Sequence, residues 1–176
     1  GRIYGAIERL LGPGFIWVLS DGNLYVGDTQ WHGGEGQRQV LPHVKVSIYP
    51  DAVTRDTGCL RVIPGPHIPE YQRPPKDLRR QYADQDERPF GLAGADVPAF
   101  PLESNPGDVV FFSENLWHAS FGGRAGRRMF TLIYYANPVT EEQRQYVRER
   151  HGELIAMFHP HDSFLKSDRP RIRGMV

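Results

Sequence analysis

The sequence predicts a mainly β domain, a sandwich or barrel with a helix at each end. Three observations carry this. Short apolar or alternating stretches recur along the chain, about seven in all, separated by Gly, Pro, Asp and Asn, as in strands joined by tight turns. Residues 44–49 alternate apolar and polar with period two, so this strand has two unlike faces. No period of about 20 to 50 residues is present, which argues against a repeat array.

Taken in order, Ile3, Ile7, Leu10 and Leu11 stand at helical spacing, and Gly12, Pro13 and Gly14 stop that helix. Residues 15–19 read as a buried strand, Asp21, Gly22 and Asn23 as its turn, and residues 24–30 as the returning strand that delivers Trp31 and His32. The strand at 44–49 and the next at 59–63 flank a turn rich in Asp and Gly, and the second ends at Pro64, Gly65, Pro66 and His67. Residues 68–96 carry little periodicity beyond a short helix at 76–82, and an excursion of that length suggests a lid or binding element. Extended structure resumes at 97–103. A buried strand at 109–112 leads to Trp117 and His118, and another spans 128–136. Thr140 and Gln143 form a capping box, after which Val147, Leu154, Ile155 and Phe158 give the last helix an apolar face. The tail after Pro160 reads as irregular and basic.

At 176 residues the chain suits one domain, with a core at about 15–138 and a C-terminal helix at about 140–158. Lys plus Arg equals Asp plus Glu at 21 each, so the charge points to neither a nucleic acid polymer nor an anionic membrane, and the expected partner is a small molecule. Cys59 has no second cysteine to pair with, and no apolar run approaches the ~18 residues of a membrane span. A soluble protein of a reducing, cytoplasmic compartment is expected. Oligomeric state is not legible.

Two histidines, His32 and His118, each follow a tryptophan and each stand at an expected strand end, so they could converge at the mouth of a barrel. Histidine is the commonest iron and zinc ligand. After His118 come a Gly-rich turn and the pair Arg127 and Arg128. The remaining histidines read as structural or solvated: His67 in a turn, His159 and His161 near the tail, and His43 and His151 with no identifiable partner. Arg38, Arg55 and Arg61 are expected near the mouth, where an anionic metabolite could meet them.

Residues 27–32, 51–67, 107–112 and the Trp117-His118 and Arg127-Arg128 pairs, in that order, resemble the phytanoyl-CoA dioxygenase family of Fe(II)/2-oxoglutarate enzymes. The resemblance covers about residues 24–138. It implies a double-stranded β-helix, a cupin-like jelly roll with flanking helices, and more chain ahead of the first histidine than is present here. It also implies His32 and His118 as iron ligands and an arginine that holds the far carboxylate of 2-oxoglutarate, a task suited to a planar guanidinium. Counting back from the Tyr135-Ala136 end of the strand favours Arg128, with Arg127 on the opposite face of a regular strand. Thr131 is expected to add a hydroxyl to the same carboxylate. Trp31, Trp117 and Phe121 are expected either as pocket walls or as barrel core.

The chain departs from the family at the third ligand. Where the pattern has His-X-Asp, this sequence has His32, Gly33 and Gly34. In this it is similar to the iron/2-oxoglutarate halogenases, in which Gly or Ala replaces the carboxylate and chloride or bromide takes its place. The resemblance implies Fe(II), 2-oxoglutarate, O2 and a halide, and radical chlorination or bromination of an unactivated aliphatic carbon of a small metabolite such as a nucleotide or amino acid. Three alternatives stay open: Glu35 as a substitute ligand in a hydroxylase, a non-catalytic jelly-roll binding protein, and an engineered glycine in a hydroxylase.

Overall fold

In a computed structural model the described residues are 1–25, 27–33, 40–65, 92–157 and 160–175. Gly34, Glu35, Arg38, His67, His159, the expected helix at 76–82 and most of the 68–96 excursion lie outside them. The chain is mainly β, a jelly roll with flanking helices. Among the described residues, the elements are α1 (Arg2–Leu11), β1 (Ile16–Tyr25), β2 (Thr29–His32), β3 (His43–Ile48), β4 (Leu60–Ile63), β5 (Phe100–Leu102), β6 (Val109–Phe112), β7 (Trp117–Ser120), β8 (Arg127–Tyr135), α2 (Glu141–Met157), α3 (Asp162–Leu165) and α4 (Pro170–Arg173). The strands form two four-stranded sheets, ordered β1-β8-β3-β6 and β2-β7-β4-β5. None of the described helices is long and apolar enough to cross a membrane.

The chain divides into two compact units, one of residues 1–21, 38–46 and 131–176 and the other of residues 22–37 and 47–130. In the first, Leu19, Leu41, Ile133, Tyr135, Ala136 and Val147 form the core. Tyr135 is fully buried, donates or accepts one hydrogen bond with His151 Nε2 at 2.8 Å, and stacks on His43 at 4.9 Å. These two histidines are therefore partnered parts of the core. The tail is not irregular as expected: α3 and α4 fold back, Trp17 packs on Phe164 at 5.1 Å, and its backbone N–H donates to Met175 O. Apolar contact and one main-chain bond give this basic segment a place that its charge alone does not predict.

In the second unit, β4 and β7 pair antiparallel with Leu60 opposite Ser120 and Val62 opposite His118. Leu60, Val62 and Phe112 make one cluster with Leu102, Val110 and Leu116. Trp31, Trp117, Ala119 and Phe121 make another, covered by Ala95, Val97 and Ala99. Successive side chains on a strand alternate between faces, so these are the two sides of the β2-β7-β4-β5 sheet.

Two expectations about strand ends need correction. β1 runs straight through residues 21–23, with no turn there. Gly22 does not take the positive φ that a tight hairpin requires, and a Cβ on it would touch the Phe130 ring at 3.3 Å. The break comes instead at Gly27, whose φ is 118°. The second Trp-His pair opens β7 rather than closing the strand before it.

At the start of α2 the capping box is present: Gln143 N–H donates to Thr140 Oγ1 at 3.2 Å, and Gln143 Oε1 accepts from Thr140 N–H at 3.1 Å. Replacing Thr140 with Ala leaves one end donor without its partner. We expect a loss of about 1 kcal/mol, seen as a melting temperature lower by about 2–4 °C for a chain of this size.

Candidate metal centre

The geometry of the histidine pair starts in an irregular register. Thr29 lies opposite Ser120 and His32 opposite His118, so three steps along β2 match two along β7. In a regular ladder Trp31 would face His118. The extra residue of this bulge turns Trp31 to the other side and brings His32 next to His118. Their ring centroids are 4.0 Å apart, at 54°.

Each ring is held in the same way. His32 Nδ1 lies 2.8 Å from Gln30 O, and His118 Nδ1 lies 2.7 Å from Leu116 O. A carbonyl oxygen only accepts, so Nδ1 carries the proton in both rings and Nε2 is left as the basic nitrogen. This is the arrangement of metal-binding histidines, whose second nitrogen is fixed by a backbone carbonyl or carboxylate. Phe112 closes one side of His118, edge to face at 5.0 Å. Among the described residues no third His, Cys, Asp or Glu joins the pair.

One step along the same face of β7 stands Ser120, and beyond it Arg127. The Arg127 guanidinium is buried, and its NH1 donates to Gly58 O and, at 3.3 Å, to Ser120 Oγ. Ser120 Oγ itself donates to Gly58 O at 2.9 Å. Gly58 has φ 92°, which favours glycine, and a Cβ on it would lie 2.9 Å from Arg127 NH1, so a side chain there would have to displace the guanidinium. Burial pushes the nearby Tyr49 phenol up to about 12, with Arg127 pulling the other way, so Tyr49 is a neutral hydroxyl at any ordinary pH.

Arg128 faces outward, although the count along the strand favoured it as the inward arginine. Its exposed side chain grips Asp51, with NH2 2.6 Å from Oδ1 and Nε 3.1 Å from Oδ2, and its backbone N–H also donates to Oδ2. Parity along β8 explains the reversal. Tyr135 is fully buried, and counting back from it by twos passes Thr131 and reaches Arg127, both buried, whereas Arg128 shares the parity of the exposed Phe130. Thr131 is buried on the Tyr135 side, with its hydroxyl 3.5 Å from Asp21 Oδ2.

Residues 25–129, more than half of the chain, match the phytanoyl-CoA dioxygenase (PhyH) family. The chain belongs to that family. Solved structures with the same fold include EvdMO1, at 20% identity and TM-score 0.56, with 78% of this chain and 30% of that one covered. HygX from Streptomyces hygroscopicus with nickel and 2-oxoglutarate bound is 16% identical at TM-score 0.58, covering 78% and 62%. EctD from S. alaskensis with bound Fe is 23% identical at TM-score 0.55, covering 77% and 50%. This member of the PhyH family therefore spans 30 to 62% of the length of those three proteins. A comparison with curated proteins returns no match.

Among the described residues, Trp31, Trp117, Phe121 and Arg61 fall outside the histidine face. Trp31, Trp117 and Phe121 pack together as core on the opposite side of the sheet, with Trp31 Nε1 donating to Gly94 O at 2.8 Å. Arg61 is buried there too, donating to the carbonyls of Ala95 and Arg55 and lying 5.3 Å over the Phe121 ring. It clamps the covering segment and is not at a solvent-facing mouth. Cys59 is fully buried and lies just ahead of β4. The sequence reading missed Ser120 and Gly58. Ser120 was accessible in principle, because it lies two residues beyond His118 and so shares its face; Gly58 was not, because its neighbour is 69 residues away.

The hydrogen bonds from Arg128 hold the Asp51 carboxyl at about 2, below its ordinary 3.8. A depressed carboxyl contributes stability that is present above the unfolded value and lost as pH falls through the folded one. Wild type should therefore exceed Asp51→Asn in urea midpoint above about pH 4, and the difference should disappear as pH is taken down through about 2. Equal midpoints at pH 6 would remove this pair from the stability of the fold.

Proposed function

We propose that this chain carries an Fe(II)/2-oxoglutarate-dependent oxidoreductase centre that halogenates an unactivated aliphatic carbon of a small metabolite. The observation that carries the iron reading is the matched pair of rings, His32 and His118, side by side with Nδ1–H of each given to the carbonyl two residues back. The donor set fits the metal: two imidazoles, each with Nδ1 held by a backbone carbonyl, suit iron through Nε2. It fits the cosubstrate as well, since the buried guanidinium of Arg127 bonds Ser120, which stands one strand step from His118, and a guanidinium suits the far end of a dicarboxylate. Arg127 is therefore the proposed 2-oxoglutarate anchor, with Ser120 keeping its fork in place. Arg128 is engaged with Asp51 on the outer face.

Bound iron, with O2 and 2-oxoglutarate, would supply the oxidising power to remove hydrogen from an aliphatic carbon. The protein's own residues orient and exclude. The backbone carbonyls of Gln30 and Leu116 hold the two rings, Phe112 covers His118, and Arg127 sets the direction of the cosubstrate. Gly34 is the basis of the halogenase reading: with no side chain to offer a carboxylate, that position leaves room for chloride or bromide. Substrate R–H, halide, one proton, O2 and 2-oxoglutarate then become R–X, water, succinate and CO2. O2 takes two electrons from 2-oxoglutarate and two from the substrate.

A second reading is a hydroxylase with Glu35 as third ligand. Its support is the φ of 114° at Gly33, which ends the strand geometry at His32. The rule that a one-residue slip sends a side chain to the other face holds only within a strand. A HygX structure with nickel, 2-oxoglutarate and hygromycin B bound supports a small organic molecule as the substrate class for the fold, and an amino acid or nucleotide stays within that class.

Two measurements test these assignments. Under anaerobic conditions Fe(II) and 2-oxoglutarate should give a visible charge-transfer band in wild type that is lost in His32→Ala and His118→Ala. Arg127→Ala should weaken 2-oxoglutarate binding by about tenfold or more, the loss of one charge-assisted pair, while Arg128→Ala leaves it within about twofold. The opposite ranking would return the anchor role to Arg128. Titrating chloride or bromide should shift the band saturably, with Glu35→Ala unchanged. A band indifferent to halide that Glu35→Ala abolishes would make the enzyme a hydroxylase.

A further inference from the structure

The residue after the first histidine is more tightly constrained than its lack of a side chain suggests. Gly33 has φ 114°, and a Cβ built on it would lie 2.4 Å from Leu116 O and 3.0 Å from Glu114 O. Both obstacles are backbone atoms, which cannot swing aside as the end of a long side chain can. Leu116 O is the same carbonyl that accepts from His118 Nδ1 at 2.7 Å. That carbonyl is itself set by a tight turn, in which Leu116 N–H donates to Ser113 O at 2.9 Å and Asn115 N–H to Ser113 Oγ at 3.3 Å. The peptide leaving His32 thus lies directly against the group that fixes the ring of His118.

Gly27, at the other end of β2, makes the comparison clean. Its φ is 118°, almost that of Gly33, yet a Cβ on it meets nothing within 4 Å. An L side chain at either position carries the same backbone strain. Only at Gly33 does it also displace the Leu116 carbonyl.

We propose that Gly33 is a positioning residue for the iron site: the missing Cβ lets the Leu116 carbonyl approach His32 closely while holding His118 in the Nδ1–H tautomer. This rests on the reading of His32 and His118 as iron ligands. A methyl group at 33 must push away either the carbonyl or β2. In the first case His118 loses its acceptor, and in the second the two rings separate from their 4.0 Å contact. Loss of such a supporting hydrogen bond to a ligand histidine typically weakens metal binding by about 10- to 100-fold.

The test compares Gly33→Ala with Gly27→Ala and wild type in the metal-free full chain. Nitrogen-15 NMR of the imidazoles reads the tautomer, and titration with Co(II) reads affinity at the site. Wild type and Gly27→Ala should show His118 protonated on Nδ1 and bind Co(II) within about twofold of each other. Gly33→Ala should bind about tenfold or more weakly and show His118 protonated on Nε2 in part of the population. Co(II) affinity in Gly33→Ala equal to that of Gly27→Ala would overturn the proposal. So would an Nε2–H tautomer in wild type, a result that needs no variant to fold. If wild type binds no Co(II), the iron reading fails, and the tautomer comparison alone still decides whether Gly33 orients His118.

Discussion

The register of β2 against β7 governs which side chains can meet at this site. A β-strand presents alternate residues to opposite faces, so a single inserted residue exchanges the two sets beyond it. Between Thr29 and His32 there is one such insertion. It gives Trp31 to the cluster with Trp117, Ala119 and Phe121, where the indole bonds Gly94 O, and it gives His32 to the face that carries His118 and Ser120. The exchange is held from both sides. The tryptophan is buried among apolar side chains, and the histidine has its Nδ1 tied to Gln30 O. A slip back to the regular ladder would take Trp31 out of its apolar cluster and place it opposite His118.

Adjacent arginines at the start of β8 illustrate the same alternation applied to charge. Arg128 faces out and meets Asp51 in water, where a salt bridge can form at little desolvation cost. Arg127 faces in, where burying a guanidinium requires good hydrogen bonding from its surroundings. Gly58 and Ser120 supply oxygens to NH1, and the close approach of Gly58 is eased by its lack of a Cβ. Gly33 and Gly58 are thus used alike, each as an absence of side chain that lets a backbone carbonyl lie next to a group of the site.

Much of the fold was legible in order along the chain. The helix at the N-terminus, the strands at 43–48, 60–63, 109–112 and 127–135, and the capping box at Thr140 all follow from local periodicity and turn chemistry. Errors came where local signals are ambiguous. Asp21, Gly22 and Asn23 look like a hairpin, but Gly22 has Phe130 packed over it and stays extended. The basic tail looks irregular, but it forms two short helices, Phe164 packs on Trp17, and Arg171 lies over the Tyr4 ring at 4.8 Å.

The candidate site residues can be named from the sequence itself. Two Trp-His pairs, the arginine pair after the second of them, and a glycine two residues after His32 are visible without coordinates, because chemistry depends on which side chains exist. Which of those side chains face one another was decided only by the tertiary structure. The bulge that turns His32 inward, the burial of Arg127 instead of Arg128, and the Leu116 carbonyl shared between Gly33 and His118 all depend on pairing between segments distant in the chain. Local composition does not encode such pairing, since a parity set by a partner strand shifts with every inserted residue.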